Sequence, residues 1–155
     1  MDGCGESSRY REIVLLVEDD PADQELTRIA FGNSSIATDL RVVMDGEEAL
    51  DYLLHRGAYA PPNAPPRPSL VITDLIMPRM SGFDVLRQVR GHAELRLTPV
   101  LVFTTSTSED DIARCYTLGA NSYVAKPVGL DQYIAAILAT LEFWIETATL
   151  PPVRQ

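Results

Sequence analysis

Five short apolar runs recur along the chain: Ile13–Val17, Leu40–Met44, the run opening at Leu70, Pro99–Phe103 and Ser122–Ala125. Most are rich in β-branched residues and show no polar alternation, the pattern of strands buried on both faces. Between them, apolar residues repeat at helical spacing. Asp20-Pro21 reads as an N-cap and first helical position, with Ala22, Leu26, Ile29 and Ala30 following up to a stop at Gly32-Asn33. Asp45-Gly46 reads as a turn before the helix Glu47–Leu54, whose Ala49, Leu50, Leu53 and Leu54 face inward, with His55 at the surface and an end near Gly57. Phe83, Leu86 and Val89 mark a third helix stopped at Gly91. Ser108 and Asp111 form a capping box for a fourth, carrying Ile112, Cys115, Tyr116 and Leu118 and closed by Gly119. The last stripe is the longest, running through Leu130, Tyr133, Ile134, Ile137, Leu138, Leu141, Trp144 and Ile145.

Strand and helix alternating five times predict an α/β fold: a five-stranded parallel sheet, doubly wound as (βα)5 with right-handed crossovers. All strand carboxyl ends then share one edge, where such sheets bind ligands. Glu18 and Asp19 follow the first strand, Asp74 ends the third, Thr104 ends the fourth, and Lys126 with Pro127 ends the fifth. Singly, an acid or hydroxyl at a strand end is a turn residue or a cap. Chance would scatter them over both edges, so their gathering on one edge predicts a site.

Composition narrows what that site does. The 155 residues, 46% hydrophobic and 23% charged, fit one globular domain over 11–145, with a flexible leader at 1–10 and an extension at 146–155. A net charge of -9 repels nucleic acid and anionic membranes and suits a cation. Cys4 and Cys115 have no metal or redox spacing, and neither a secretory signal nor a run of roughly 20 apolar residues is present, so a cytoplasmic protein with reduced thiols is expected. The proline-rich stretch 57–69 predicts an extended, stiff loop.

From Arg11 to Trp144 these residues resemble the receiver domains of two-component response regulators. The resemblance implies a flavodoxin-like receiver fold acting as a phosphorylation-dependent switch. Asp74 would take a phosphoryl group from the phosphohistidine of a sensor histidine kinase, with Mg2+ held by Glu18, Asp19, Asp74 and the backbone carbonyl of Ile76. Thr104 would be the hydroxyl switch and Tyr123 the aromatic one. Thr104, Thr105 and Lys126 would contact the phosphoryl group, and the Lys126-Pro127 bond would be cis. Glu18 stands where Asp is more frequent, and Thr105 where a smaller residue is commoner. No catalysis beyond its own phosphorylation and dephosphorylation is implied.

Two other classes share parts of this pattern. An aspartate-nucleophile phosphatase needs a second Asp where Ile76 stands. A flavodoxin-like cofactor binder needs a hydroxyl- and glycine-rich phosphate loop where this chain has Glu18-Asp19-Asp20-Pro21, whose acids repel phosphate. The proline-rich loop, Phe143-Trp144 and Leu150-Pro151-Pro152 resemble the small response regulators that partner phytochrome kinases. That likeness implies a bacteriophytochrome partner, a stand-alone receiver signalling through protein contacts, and a homodimer through Leu141, Trp144 and Ile145. The alternative is an overhang folded back on its own domain.

Overall fold

The computed structural model describes residues 11–153; the leader at 1–10, with Cys4, lies outside the described residues. The strands are β1 (Glu12–Val17), β2 (Thr38–Val43), β3 (Leu70–Thr73), β4 (Val100–Thr104) and β5 (Ser122–Ala125), all parallel in the order β2-β1-β3-β4-β5. The helices are α1 (Pro21–Asn33), α2 (Gly46–Leu54), α3 (Gly82–Gly91), α4 (Glu109–Thr117) and α5 (Leu130–Leu141). The chain order reverses direction across the sheet between β1 and β3, so a crevice opens at their carboxyl ends.

Period-two alternation splits the core into two layers. Leu15 and Val17 of β1, with Val71 and Val102, pack under α2, α3 and α4 through Ala49, Leu53, Phe83, Leu86, Val89 and Cys115. Val14, Leu16, Ile72 and Phe103 face the other way, against Ala30 of α1 and Tyr133, Ile137 and Leu141 of α5. The central strands β1, β3 and β4 are covered twice, which explains their near-continuous apolar runs. The edge strands β2 and β5 are only partly buried and do not meet the expectation of burial on both faces.

Local differences from the expected elements have local causes. Helix α1 runs through Gly32 and Asn33 and is capped at Ser34, whose N–H reaches Phe31 O at 3.2 Å. Asp45 is the N-cap of α2, accepting from Glu48 N at 2.8 Å, so Gly46 is helical and not part of a turn. A Cβ on Gly46 would stand 2.8 Å from Met80 O. Helix α2 ends at His55, which adopts the left-handed conformation (φ 56) more often given to glycine. Its Nε2 meets Pro65 O at 2.9 Å, so the ring is half-buried and not a surface group. The proline-rich segment begins with a 3-10 turn, Gly57–Tyr59, ahead of its prolines. It is clasped to α2 by Tyr52 Oη donating to Pro66 O (3.1 Å) and Arg67 Nε donating to Leu53 O (3.0 Å). On α4, Ser108 caps through Asp111 N (3.3 Å), but the Asp111 carboxylate turns to Ser106 Oγ (2.6 Å), leaving the box half formed.

The end of the chain overturns one expectation. Leu141 is fully buried in its own core, and Trp144 and Ile145 pack beside it, so Leu141 cannot belong to a dimer face. A π-helical turn over Glu142–Thr147 carries Trp144 and Ile145, which pack against the same core layer as Leu141. Residues 148–153 then run beside Glu12 and Ser69, at the strands' amino ends.

Candidate functional site

Backbone bonds just past the strand ends carry the site residues into place. Glu18 N donates to Val43 O (3.1 Å), Asp74 N to Val17 O (3.0 Å) and Lys126 N to Thr104 O (2.7 Å). Each side chain therefore leaves the sheet at the same edge. The loop after Asp74 closes tightly: Gly82 N reaches Leu75 O at 2.8 Å, and any Cβ on Gly82 would collide with Asp74 O. Arg79, with φ 69, anchors this loop to the α2 cap through Nη2 and Asp45 Oδ2 at 2.7 Å.

Lys126 occupies the centre. Its Nζ lies 2.7 Å from Glu18 Oε2, 2.8 Å from Asp23 Oδ2 and 2.9 Å from Asp74 Oδ2, and only 4% of its side chain is exposed. Three N–H donors thus meet three carboxylates. Asp74 Oδ1 accepts from Leu75 N at 2.6 Å, so both of its oxygens are held. Glu18 Oε1 accepts from Asp20 N at 3.1 Å. Glu18, Asp19 and Asp74 also present oxygens that lie within 4.8 Å of one another.

The charges explain what this pocket can hold. Burial pushes Glu18 up from its ordinary 4.5 to about 7, against the opposing pull of Lys126. Burial alone would lower Lys126, but the hydrogen bonds it donates to Asp23, Glu18 and Asp74 outweigh that and hold the ammonium charged far above the usual lysine range. Four carboxylates, Asp19 included, still face one ammonium, so negative charge is in excess. Hard oxygen donors in that surplus fit a hard divalent cation.

A pH dependence follows. The stability linked to Glu18 is fully present below 4.5 and is lost as pH rises through about 7, because the folded state keeps the proton longer. Thermal unfolding in chelator, followed from pH 4.5 to 8, is expected to fall more steeply in wild type than in Glu18→Gln. Parallel curves would refute the assignment.

Two further expected residues meet at the backbone of one residue, Ser106. Thr104 Oγ1, buried, accepts from Ser106 N at 3.5 Å, and Tyr123 Oη donates to Ser106 O at 2.8 Å. Ser106 also reaches α4 through Asp111, so one loop residue links both positions to that helix. Thr105 is exposed, and so is the Ile76 side chain.

The Lys126-Pro127 bond is trans; the cis bond among the described residues is Pro61-Pro62. Trans is the intrinsically favoured isomer, and Nζ reaches all three carboxylates with it. Asp23 was missed. In the sequence it is one more acid in the first turn of a helix, yet that turn starts at the site edge.

A model of the response regulator receiver domain matches residues 14–138. The chain belongs to the response regulator receiver family. This receiver is 35% identical over 146 residues to the response regulator Rcp1 of a Synechocystis species, covering 94% of this chain and 97% of Rcp1. Among solved structures, the phosphorylated cyanobacterial phytochrome response regulator RcpA matches at 38% identity with a TM-score of 0.86, covering 92% of the receiver and 99% of RcpA. The Mn2+-bound form of Rcp1 matches at 36% with a TM-score of 0.85, covering 91% and 99%. Receivers are phosphoryl-accepting signalling switches served by histidine kinases, and they bind a divalent metal at an acidic pocket such as the one Glu18, Asp19 and Asp74 form. Among the described residues, no helix is long and apolar enough to cross a membrane.

Proposed function

We propose that Asp74 is the phosphoryl acceptor, loaded from the phosphohistidine of a sensor histidine kinase in the cytoplasm, with magnesium held by Glu18, Asp19, Asp74 and the Ile76 carbonyl. The observation that carries this reading is the treatment of one carboxylate. Asp74 Oδ2 lies 2.9 Å from the Lys126 ammonium while Oδ1 is fixed by a backbone N–H at 2.6 Å, so the nucleophile is aimed and its charge is partly offset. An Asp74 oxygen bonds to phosphorus as the phosphorus–nitrogen bond of phosphohistidine breaks, and the imidazole nitrogen keeps the electron pair. When bound, magnesium supplies positive charge to the phosphoryl oxygens. Lys126 supplies a second positive charge and Thr104 a hydroxyl donor. A Thr104 drawn toward the new group releases Ser106 N–H, and Ser106 passes the change to Tyr123 through its carbonyl and to α4 through its hydroxyl. The test is stoichiometry: one acid-stable, base-labile phosphate per chain is expected, whereas bound flavin colour would favour a flavodoxin-like cofactor binder. Phosphate turnover in place of a stoichiometric adduct would favour a phosphatase.

Metal binding has its own test. Asp19→Asn is expected to weaken magnesium roughly tenfold by calorimetry. Glu18→Gln is expected to do less, because Lys126 already neutralises part of that carboxylate. Unchanged affinity in Asp19→Asn would remove it from the metal site.

The likeness to RcpA and Rcp1 supports a phytochrome kinase as donor. We keep a homodimer in the reading, on a smaller surface than Leu141, Trp144 and Ile145. Beside Trp144, Phe143 is edge-on at 5.2 Å and 53% exposed, an apolar side chain of that turn left outside the core. Salt should strengthen pairing at low ionic strength by screening two acidic protomers. Sedimentation is expected to show a dimer weakened by Phe143→Ala. A wild-type monomer at high concentration, phosphorylated or not, defeats this part.

A further inference from the structure

The three carboxylates around Lys126 are not equivalent. Glu18 and Asp74 share with Asp19 the cluster of oxygens that suits a cation. Asp23 stands outside that cluster and reaches Nζ at 2.8 Å from the first turn of α1. A cation would draw on Glu18 and Asp74, and phosphorylation turns one Asp74 oxygen into a bridge to phosphorus. The first weakens the hold of both groups on the ammonium, and the second that of Asp74. Asp23 takes part in neither. We propose that Asp23 is the positioning residue that keeps the Lys126 ammonium beside Asp74 throughout phosphoryl transfer.

Local structure equips Asp23 for this. Helix α1 starts firmly, with Asp20 Oδ1 accepting from Ala22 N at 2.8 Å and Pro21 in the first turn. Thr27 Oγ1 donates back to Asp23 O at 2.9 Å, fixing the residue one turn on. The helix N-terminus favours negative charge there. On the other side, the Lys126 backbone is pinned to Thr104 O, and Nζ lies 5.9 Å from the centre of the Phe103 ring. A lysine stem has several rotatable bonds, so a head group without an anchor would sample other positions. Asp23 closes that freedom. It touches no reacting atom and acts through Lys126 alone.

The inference rests on Asp74 being the acceptor. Its test measures initial phosphorylation rates with phosphoramidate, magnesium saturating for each variant, in wild type, Asp23→Asn, Asp23→Glu, Lys126→Ala and the double variant Asp23→Asn with Lys126→Ala. In that reaction an Asp74 oxygen bonds to phosphorus, the phosphorus–nitrogen bond breaks, and nitrogen leaves as ammonia. Asp23→Asn is expected to slow the rate about tenfold, and Asp23→Glu to recover part of the loss. In the Lys126→Ala background, Asp23→Asn should change the rate less than about twofold, because its partner is already gone. A role in folding alone would subtract the same factor from both backgrounds. Equal losses in the two, or no loss in either, overturn the inference. Should Asp23→Asn fail to fold, Asp23→Ser carries the same comparison. A wild type that takes no phosphate overturns the functional reading itself; a labelled wild type matched by Asp23→Asn overturns only the role of Asp23.

Discussion

Asp74→Asn is expected to take up no phosphate from either a histidine kinase or a small phosphodonor, a loss of at least about a thousandfold in rate. The amide is close to isosteric, so its oxygen can still accept from Leu75 N–H, as Oδ1 does at 2.6 Å. Its NH2 then faces the Lys126 ammonium, donor against donor, where Oδ2 had accepted at 2.9 Å. Lys126 turns to Glu18 and Asp23, and no charged oxygen remains to attack phosphorus. Folding should survive, since one negative charge leaves a pocket that has too many. Intact mass before and after base treatment gives the answer: one labile phosphate in wild type and none in the variant. Full labelling of Asp74→Asn on another residue would sink the acceptor assignment.

The second large effect is expected from Lys126→Ala. Removing one member of a buried ion pair generally costs about 3–5 kcal/mol, because the partner is left charged and dry. Here Glu18 is 2% exposed and Asp74 13%, while Asp23, at 21%, is better placed to use water, so the low end of that range applies. The uncompensated carboxylates should then bind a divalent cation more tightly. In chelator the thermal midpoint of Lys126→Ala is expected to fall well below wild type, and magnesium should raise it by more than it raises wild type. Phosphorylation should stay slow even when the metal is saturating, because the second positive charge is gone. Equal stabilisation of the two proteins by magnesium would show that Lys126 does not hold the excess charge in check.

The sheet was legible because alternation and burial dictate it. Runs such as Ile13–Val17 have no polar face to expose, and the helical stripes between them can be satisfied only by covering such strands on both sides. Glu18, Asp19, Asp74, Thr104 and Lys126 were legible for the same reason, since topology alone brings strand ends to one edge. Asp23 was not, because its meaning lies in a partner 103 residues away and nothing in its own neighbourhood marks it. Leu141 misled because a helical stripe looks the same whether a second chain covers it or its own sheet does. The backbone at His55 and Arg79, both at positive φ, was equally hidden: neither residue type announces a left-handed turn, and tertiary bonds to Pro65 and Asp45 hold them there.

The course of residues 148–153 beside Glu12 and Ser69 has a practical reach. Both described ends of the chain lie along the edge of the sheet opposite the acidic pocket. A fluorophore or surface linker attached at Arg11 or Val153 would therefore sit on the far side of the sheet from the acidic pocket, where its signal can be read without obstructing the reaction.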